Sequence, residues 1–520
     1  MGQLCSIYRL TVDQLADALK PERDGGRLDL QVAGRAAIRV DVERTDHPPE
    51  WAAALANMTG RPFEHQVRSA SAVLLVDLGP ARYALAFGAG GRHLLHDEAI
   101  QPDFGIAIAI RCLDPDQVLA LARTALDLTS RNDLTQLPNG ANVLVFGVDR
   151  YREIVKRVAG RSGQLEITQL KRAETIRLEA GNALQLRMAE SPNELIADLT
   201  VIETAYHRDP HPELAFVEGL RPVSRDHRPR QALATELTQP ESDRIGLAVP
   251  AAVGSAEVSS CLLEVEGRQH RMTEPDLATI TAAIREIPAS RRVDALRTAR
   301  LYASLADLSD PIETPLSSWL AADLAVGNEQ YVLHDGRFYR MTEAYRHALD
   351  QQVTDLLGRS AGLVLPPWPA GEDEHTYCER VDSKVDGFVM LDRRRASSDV
   401  HPRGVEICDL LGPASELICV KRAKQSFVLS HLFFQAIVAA EAIYHGRGHQ
   451  QLRRMLPKHR RDDVPQRPHF VFAIQLTKQT GERKLTAESL FSFSKVGLNC
   501  AAQHLHRLAM NVSVVSIDAA

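Results

Sequence analysis

The chain has 520 residues, 44% hydrophobic and 25% charged, with a formal net charge of −6. That is the composition of a globular protein of two to four domains. No apolar run approaches the roughly 18 residues of a membrane span, no secretory leader opens the sequence, and seven scattered cysteines without a CxxC pair argue against a disulfide frame or a zinc cluster; a cytoplasmic protein with no membrane partner is expected.

The opening MGQLCSIYRL fits the myristoylation pattern from Gly2 to Ser6, but CSIYRL reads as an ordinary first strand and lipidation is not expected. Residues 1–130 read as an α/β domain. SAVLLVDLG and ARYALAFG are strand-like; the apolar run FGIAIAIRCL follows, and a helix is expected to open at DPDQVLALARTAL, with Asp114 as cap and Pro115 in the first turn. The glycines of FGAGGRHLL, Gly88, Gly90 and Gly91, match neither phosphate-binding fingerprint and read as a turn between strands.

Residues 131–365 read as a mixed α+β region. NVLVFGVDRYREIVKRVAG predicts a strand leading into a helix. PHPELAFVEGLRPVSRDHRPRQ predicts a loop, and the segment opening at Thr273 predicts a helical pair broken at Pro288. YVLHDGRFYRM predicts a hairpin turning at Asp335-Gly336, and EAYRHALDQQVTDLLG a helix. LPPWPAGEDE, residues 365–374, carries three prolines and a glycine and is the last expected boundary.

From 366 to 520 the predicted order is α, β, β, β, α, β, α, β: EDEHTYCERV, GFVMLDRR, VEICDLL, ELICVKRA, SFVLSHLFFQAIVAAEAIY, HFVFAIQLT, KVGLNCAAQHLHRLA and NVSVVSID. This order, on a mixed central sheet, resembles the core of the PD-(D/E)XK, restriction-endonuclease-like fold. The expected class is therefore multidomain α/β (α+β) with a nuclease-like carboxyl domain.

Charges inside otherwise apolar strands are costly unless paired or used. Phosphodiester hydrolysis uses them: carboxylates hold Mg²⁺ or Mn²⁺, and a lysine orients the attacking water. Neighbouring strands lie about 4.8 Å apart, so Asp409 and Lys421 could converge on one pocket. The resemblance implies catalytic roles for Asp409, Lys421, Gln435 and Glu379, and metal ligation by Asp409 with Glu379 and Asp392 ranked above Glu406. Glu406 lies three residues before Asp409 and would face the other way in a regular strand. The sequence departs from the fold's pattern at Cys419, where an acid is expected. A plain ion pair between Asp409 and Lys421 is the alternative.

The stretch EICDLLGPASELICVKRAKQSFVLSHLFFQ, with FSFSKVGL near the end and YALAFGAGGRHLL and DFGIAIAI in the first domain, is similar to an uncharacterised, sporadically distributed bacterial family. The resemblance covers most of the chain and implies no activity; its patchy distribution is that of mobile-element and anti-phage genes.

Basic charge gathers toward the carboxyl end. From residue 371 onward 21 Lys and Arg stand against 17 Asp and Glu, whereas the preceding residues hold 40 against 50. Clusters at Arg393-Arg394-Arg395 and through Arg453, Arg454, Arg460 and Arg461 suggest a polyanion partner, DNA in preference to RNA. Arg422, His431 and Lys495 are further candidates for phosphate contact. A metal-dependent DNA nuclease is the leading expectation; a nuclease fold that binds nucleic acid without cutting it, and an interaction protein of a defence system, are the others. Homo-oligomerisation is left open.

Overall fold

SAVLLVDLG and ARYALAFG form the antiparallel strands Val67–Asp77 and Arg82–Phe87, whose alternating apolar residues face a buried core. They belong to a computed structural model that describes residues 2–520 apart from 22–24, 48–51, 63–66, 127–131, 224–226, 240, 241, 243, 249, 251, 252, 254–257, 306–309, 360, 398–403, 424–427, 446, 479, 480, 483 and 484. The protein is α+β. The chain divides into two units, Met1–Thr124 with Asn132–Arg150 and Ile154–Arg225, and Ala125–Arg131 with Tyr151–Glu153 and Asp226–Ala520. No helix among the described residues is long and apolar enough to cross a membrane.

The first unit is built on one ten-stranded sheet. The boundary expected at residue 130 falls between two of its paired strands, Val118–Ala125 and Asn132–Ala141. FGIAIAIRCL is the helix Phe104–Cys112, which lies with the helix Pro192–Tyr206 against the sheet. Two expected helices are strands. Asp114 does accept the Asp116 amide, at 3.0 Å, and Pro115 follows it, but they cap a single turn before the strand Val118–Ala125. A register shift between Val118 and Ala120 gives that strand the three-residue apolar spacing of a helix. REIVKRVAG, likewise, lies in the strand Glu153–Ser162, as its β-branched residues allow. The glycine turn is structural. A Cβ on Gly88 would sit 2.6 Å from the Ala70 carbonyl, one on Gly91 would sit 2.6 Å from that of Ala72, and the Gly90 amide already donates to Ser71 Oγ at 3.0 Å.

In the second unit the pair broken at Pro288 appears as Leu277–Arg285 and Arg292–Thr298. The hairpin Glu329–His334 and Arg337–Met341 turns at Asp335 and Gly336, both at positive φ. The segment expected as a loop at 210–231 instead holds the strand Leu220–Val223, which closes the sequence of the first unit, and the start of the helix His227–Glu236, which belongs to the second.

The elements that carry the site follow, and are labelled α1 Glu343–Leu357, α2 Glu374–Lys384, β1 Val389–Met390, β2 Arg395–Ala396, β3 Val405–Glu406, β4 Leu410–Leu411, β5 Leu417–Ala423, α3 Val428–His445, α4 Gly448–Met455, β6 Phe470–Lys478, α5 Ser492–Arg507 and β7 Val512–Ser516. β1, β4, β5, β6 and β7 lie side by side. The first three pair antiparallel, whereas β5, β6 and β7 run parallel, with Val420 opposite Ala473 and Ala473 opposite Val515. Leu410, Ile418, Val420, Val471 and Ala473 share a core with Tyr377, Cys378 and Val381 of α2. Phe433 of α3 meets Phe472 of β6 edge-on, with ring centroids 5.0 Å apart. VEICDLL is thus two strands in two sheets: β3 pairs with β2, β4 with β1 and β5.

The proline-rich break at 365–374 is not a loose tether. Trp368 is fully buried, stacks on Tyr377 with centroids 4.3 Å apart, and lies under Arg422 at 4.3 Å. Its amide donates to the Asp518 carbonyl at 2.8 Å and its indole to the Glu372 carbonyl at 3.0 Å, so the strap is held beside the end of β7. Trp368→Ala should cost about 3–5 kcal/mol, the usual price of truncating a buried aromatic, read as a lower urea midpoint with Arg422 left unstacked.

Candidate functional site

The site forms where β4 leaves β5. Leu410 is the partner of Ile418 in the ladder, yet the Asp409 amide also reaches the Ile418 carbonyl, at 3.0 Å. The chain therefore departs from the ladder at Asp409, and among the described residues β5 has no strand beside it from Val420 onward on this side. Two outward amides of β5 would be left open there, and a buried open amide is costly. Carboxylates take both: Val420 N–H donates to Asp409 Oδ2 at 2.6 Å, and Arg422 N–H to Glu374 Oε1 at 3.3 Å.

The Asp409 carbonyl in turn accepts the amides of Leu391 and Asp392, at 2.8 and 3.0 Å. This draws the end of β1 against the same point. Arg393 then adopts φ +61, uncommon for a residue with a side chain, and its amide donates to Glu406 Oε1. One oxygen from each of Asp392, Glu406 and Asp409 comes within 4.8 Å of the others. Glu406 and Asp409 meet because the chain breaks strand geometry between β3 and β4, which the expectation of one regular strand did not allow.

Electrostatics mark the group as short of positive charge. Asp409 is pushed up to about 7, by burial first; the Val420 amide opposes this, and the charges of Glu406, Asp392 and Glu374 add to it. Glu406 is raised by burial and by its contact with Asp392, against the Arg393 amide. Among the described residues no ion pair reaches Glu406 or Asp409, and Asp392 has the His375 ring and, at 3.8 Å, exposed Arg393. Three converging carboxylates with only oxygen donors suit a hard dication such as Mg²⁺, Mn²⁺ or Ca²⁺. The residues fit the metal expected from the sequence, with Glu406 a full member of the group.

Glu379 does not join them. It is mostly exposed and lies 3.5 Å from His375 Nε2, so it touches the group only through that histidine. Lys421 is not paired with Asp409. Its ammonium donates to Glu374 Oε2 at 2.8 Å, a half-exposed pair worth about 1 kcal/mol or less. Cys419 is buried, as are Cys378 and Cys408, and burial pushes the Cys419 thiol well above its ordinary value. Gln435 is half-buried on α3. The side chain of His431 lies outside the described residues.

The expected phosphate-contacting cations divide in two. Arg422 donates to the carbonyls of Glu372, Trp368 and Pro369 and to Gln475, because it closes the strap over β5. Arg460 is buried and donates to the carbonyls of Gly387, Gly412 and Pro413, tying β1 and β4 together. Lys495 is buried against Asp350 of α1 at 2.6 Å. Arg453 bonds the Arg461 carbonyl and Asp462, and Arg461 the Leu456 carbonyl. All five are bonded within the fold. Arg454 is exposed, as are Arg393, Arg394 and Arg395 beside the acids. Arg394 reaches the Met455 carbonyl at 3.1 Å, placing the two basic stretches next to each other.

Sequence reasoning missed Glu374 and His375. His375 and Glu379 stand four apart on α2, the spacing of one helical face, but nothing in the sequence indicates that Glu374, at the helix start, would reach over to β5.

A family model described as a family of unknown function, DUF6119, matches residues 5–518. No curated protein and no solved structure matches the chain.

The raised Asp409 has a signed consequence. Unfolded, the carboxyl loses its proton near 3.8; folded, it keeps it to about 7. The folded state thus holds the extra proton between those values, and stability should fall as pH rises through that window. Asp409→Asn keeps an acceptor for the Val420 amide without the charge. It should melt above wild type at about pH 8 and with it at about pH 4, and millimolar Mn²⁺ should raise the melting temperature of wild type alone.

Proposed function

The chain belongs to the family of unknown function DUF6119, and we propose that its carboxyl-terminal module, residues 366–520, is a restriction-endonuclease-like nuclease that hydrolyses DNA with Mg²⁺ or Mn²⁺. The observation that carries this reading is the meeting of Asp392, Glu406 and Asp409 at the open edge of β5, one residue from Lys421. The order α2, β1, β4, β5, α3, β6, α5, β7 on a mixed sheet supports it.

The three carboxylates would hold the cation, which when bound polarises the phosphate and lowers the pKa of a water. Asp409 must give up its proton to do so, which ties ion affinity to pH. Lys421 offsets phosphate charge and orients the water. Arg393, Arg394, Arg395 and Arg454 offer the exposed cations along which a polyanion can lie. A second reading, binding without cleavage, is favoured by one observation: buried Cys419 leaves β5 without the usual acid.

Plasmid and circular single-stranded DNA incubated with Mn²⁺ should be cut far faster by wild type than by Asp409→Asn or Lys421→Met, whose slow residual cutting stays measurable at high enzyme concentration. Equal cutting by wild type and the double variant removes the proposal; salt-sensitive retention of DNA without cutting selects the second reading, and cutting of RNA alone changes the substrate. Replacing Arg393, Arg394 and Arg395 by Ala should flatten the salt dependence of DNA binding in Ca²⁺ by roughly two to three phosphate contacts.

A further inference from the structure

We propose that Glu374 is the positioning residue for Lys421, supplying from α2 the carboxylate that β5 lacks at Cys419; the inference rests on the nuclease reading above. A lysine that must meet a phosphate needs a fixed place for a flexible four-carbon stem. Cys419, two residues before Lys421 on the same strand, offers only a buried neutral thiol. Glu374 Oε2 instead receives the Lys421 ammonium at 2.8 Å.

The carboxylate is the fixed member of the pair. Its other oxygen accepts the Arg422 amide at 3.3 Å. The start of α2 is set by Asp373, which accepts the Thr376 amide at 2.7 Å. The turn before it is set by Glu372, whose carboxylate takes two bonds from Arg380 and whose carbonyl takes one from Arg422 at 2.6 Å. None of these contacts involves Lys421, so the position of Glu374 is determined without it. Half-exposed ion pairs add little stability, and a glutamine would serve the Arg422 amide as well as a glutamate does. What only the carboxylate gives is a charged anchor for the ammonium, close enough to the acid group that its charge is felt at Asp409.

The test is a double-variant cycle on the full chain, read in Mn²⁺-dependent plasmid cleavage and in DNA retention with Ca²⁺. Glu374→Gln should lower kcat about 10–100-fold, the effect typical of groups that orient a reacting one, with KM and retention unchanged. Glu374→Asp should regain part of the loss. In a Lys421→Met background Glu374→Gln should do nothing further, and melting temperatures should show all variants folded. If wild type cuts but Glu374→Gln leaves kcat intact, or its effect multiplies with that of Lys421→Met, positioning is overturned while the nuclease reading stands. If wild type cuts neither DNA nor RNA, both fall together.

Discussion

The carboxyl-terminal half of the second unit is organised around an unfinished strand edge. β5 is flanked by β6 along its length but loses β4 at Asp409, and the amides of Val420 and Arg422 must then find partners. In most sheets water or another strand would take them. Here two acids do, one from the loop entering β4 and one from the start of α2, so a backbone requirement gathers negative charge at a single place. The departing chain carries Asp392 and Glu406 to the same point through the carbonyl of Asp409 and the amide of Arg393. Much of this rests in turn on the Trp368 strap, which fixes where α2 begins.

The positive charge nearby is spent in two ways. Arg460 is buried and Arg422 half-buried, and each donates to several backbone carbonyls outside the ladders, so the guanidinium fork does the work of missing ladder bonds. Of the arginines left at the surface, Arg393 lies 3.8 Å from Asp392, Arg395 stands opposite Glu406, and Arg394 bonds the carbonyl of Met455 next to Arg454. Net charge counted along the sequence cannot separate the two groups, because the difference is whether a carbonyl lies within reach.

The same distinction explains what was legible beforehand. Element order after residue 366 could be read because the apolar pattern is strong there: an unbroken apolar run from Phe470 to Ile474 in β6, buried on both faces, and a helical stripe through Leu429, Leu432 and Phe433. Asp409 and Asp392 stood out as charges beside apolar runs. Strand parity ranks Glu406 low because it is a rule for unbroken strands, and Glu374 is not legible because a position within a helix turn says little about contacts across the fold. In the first unit, Val118–Ala125 and Glu153–Ser162 imitated helices for lack of visible strand partners; a ladder with a bulge hides its period of two.

Six of the seven cysteines are buried, among them the three closest to the acids, and only Cys500 is partly open. The wild-type protein therefore offers alkylating reagents an almost silent thiol background. A single surface cysteine, for instance through Arg393→Cys, would accept a maleimide fluorophore selectively next to Asp392, so ion and polyanion occupancy could be followed optically without first rebuilding the core.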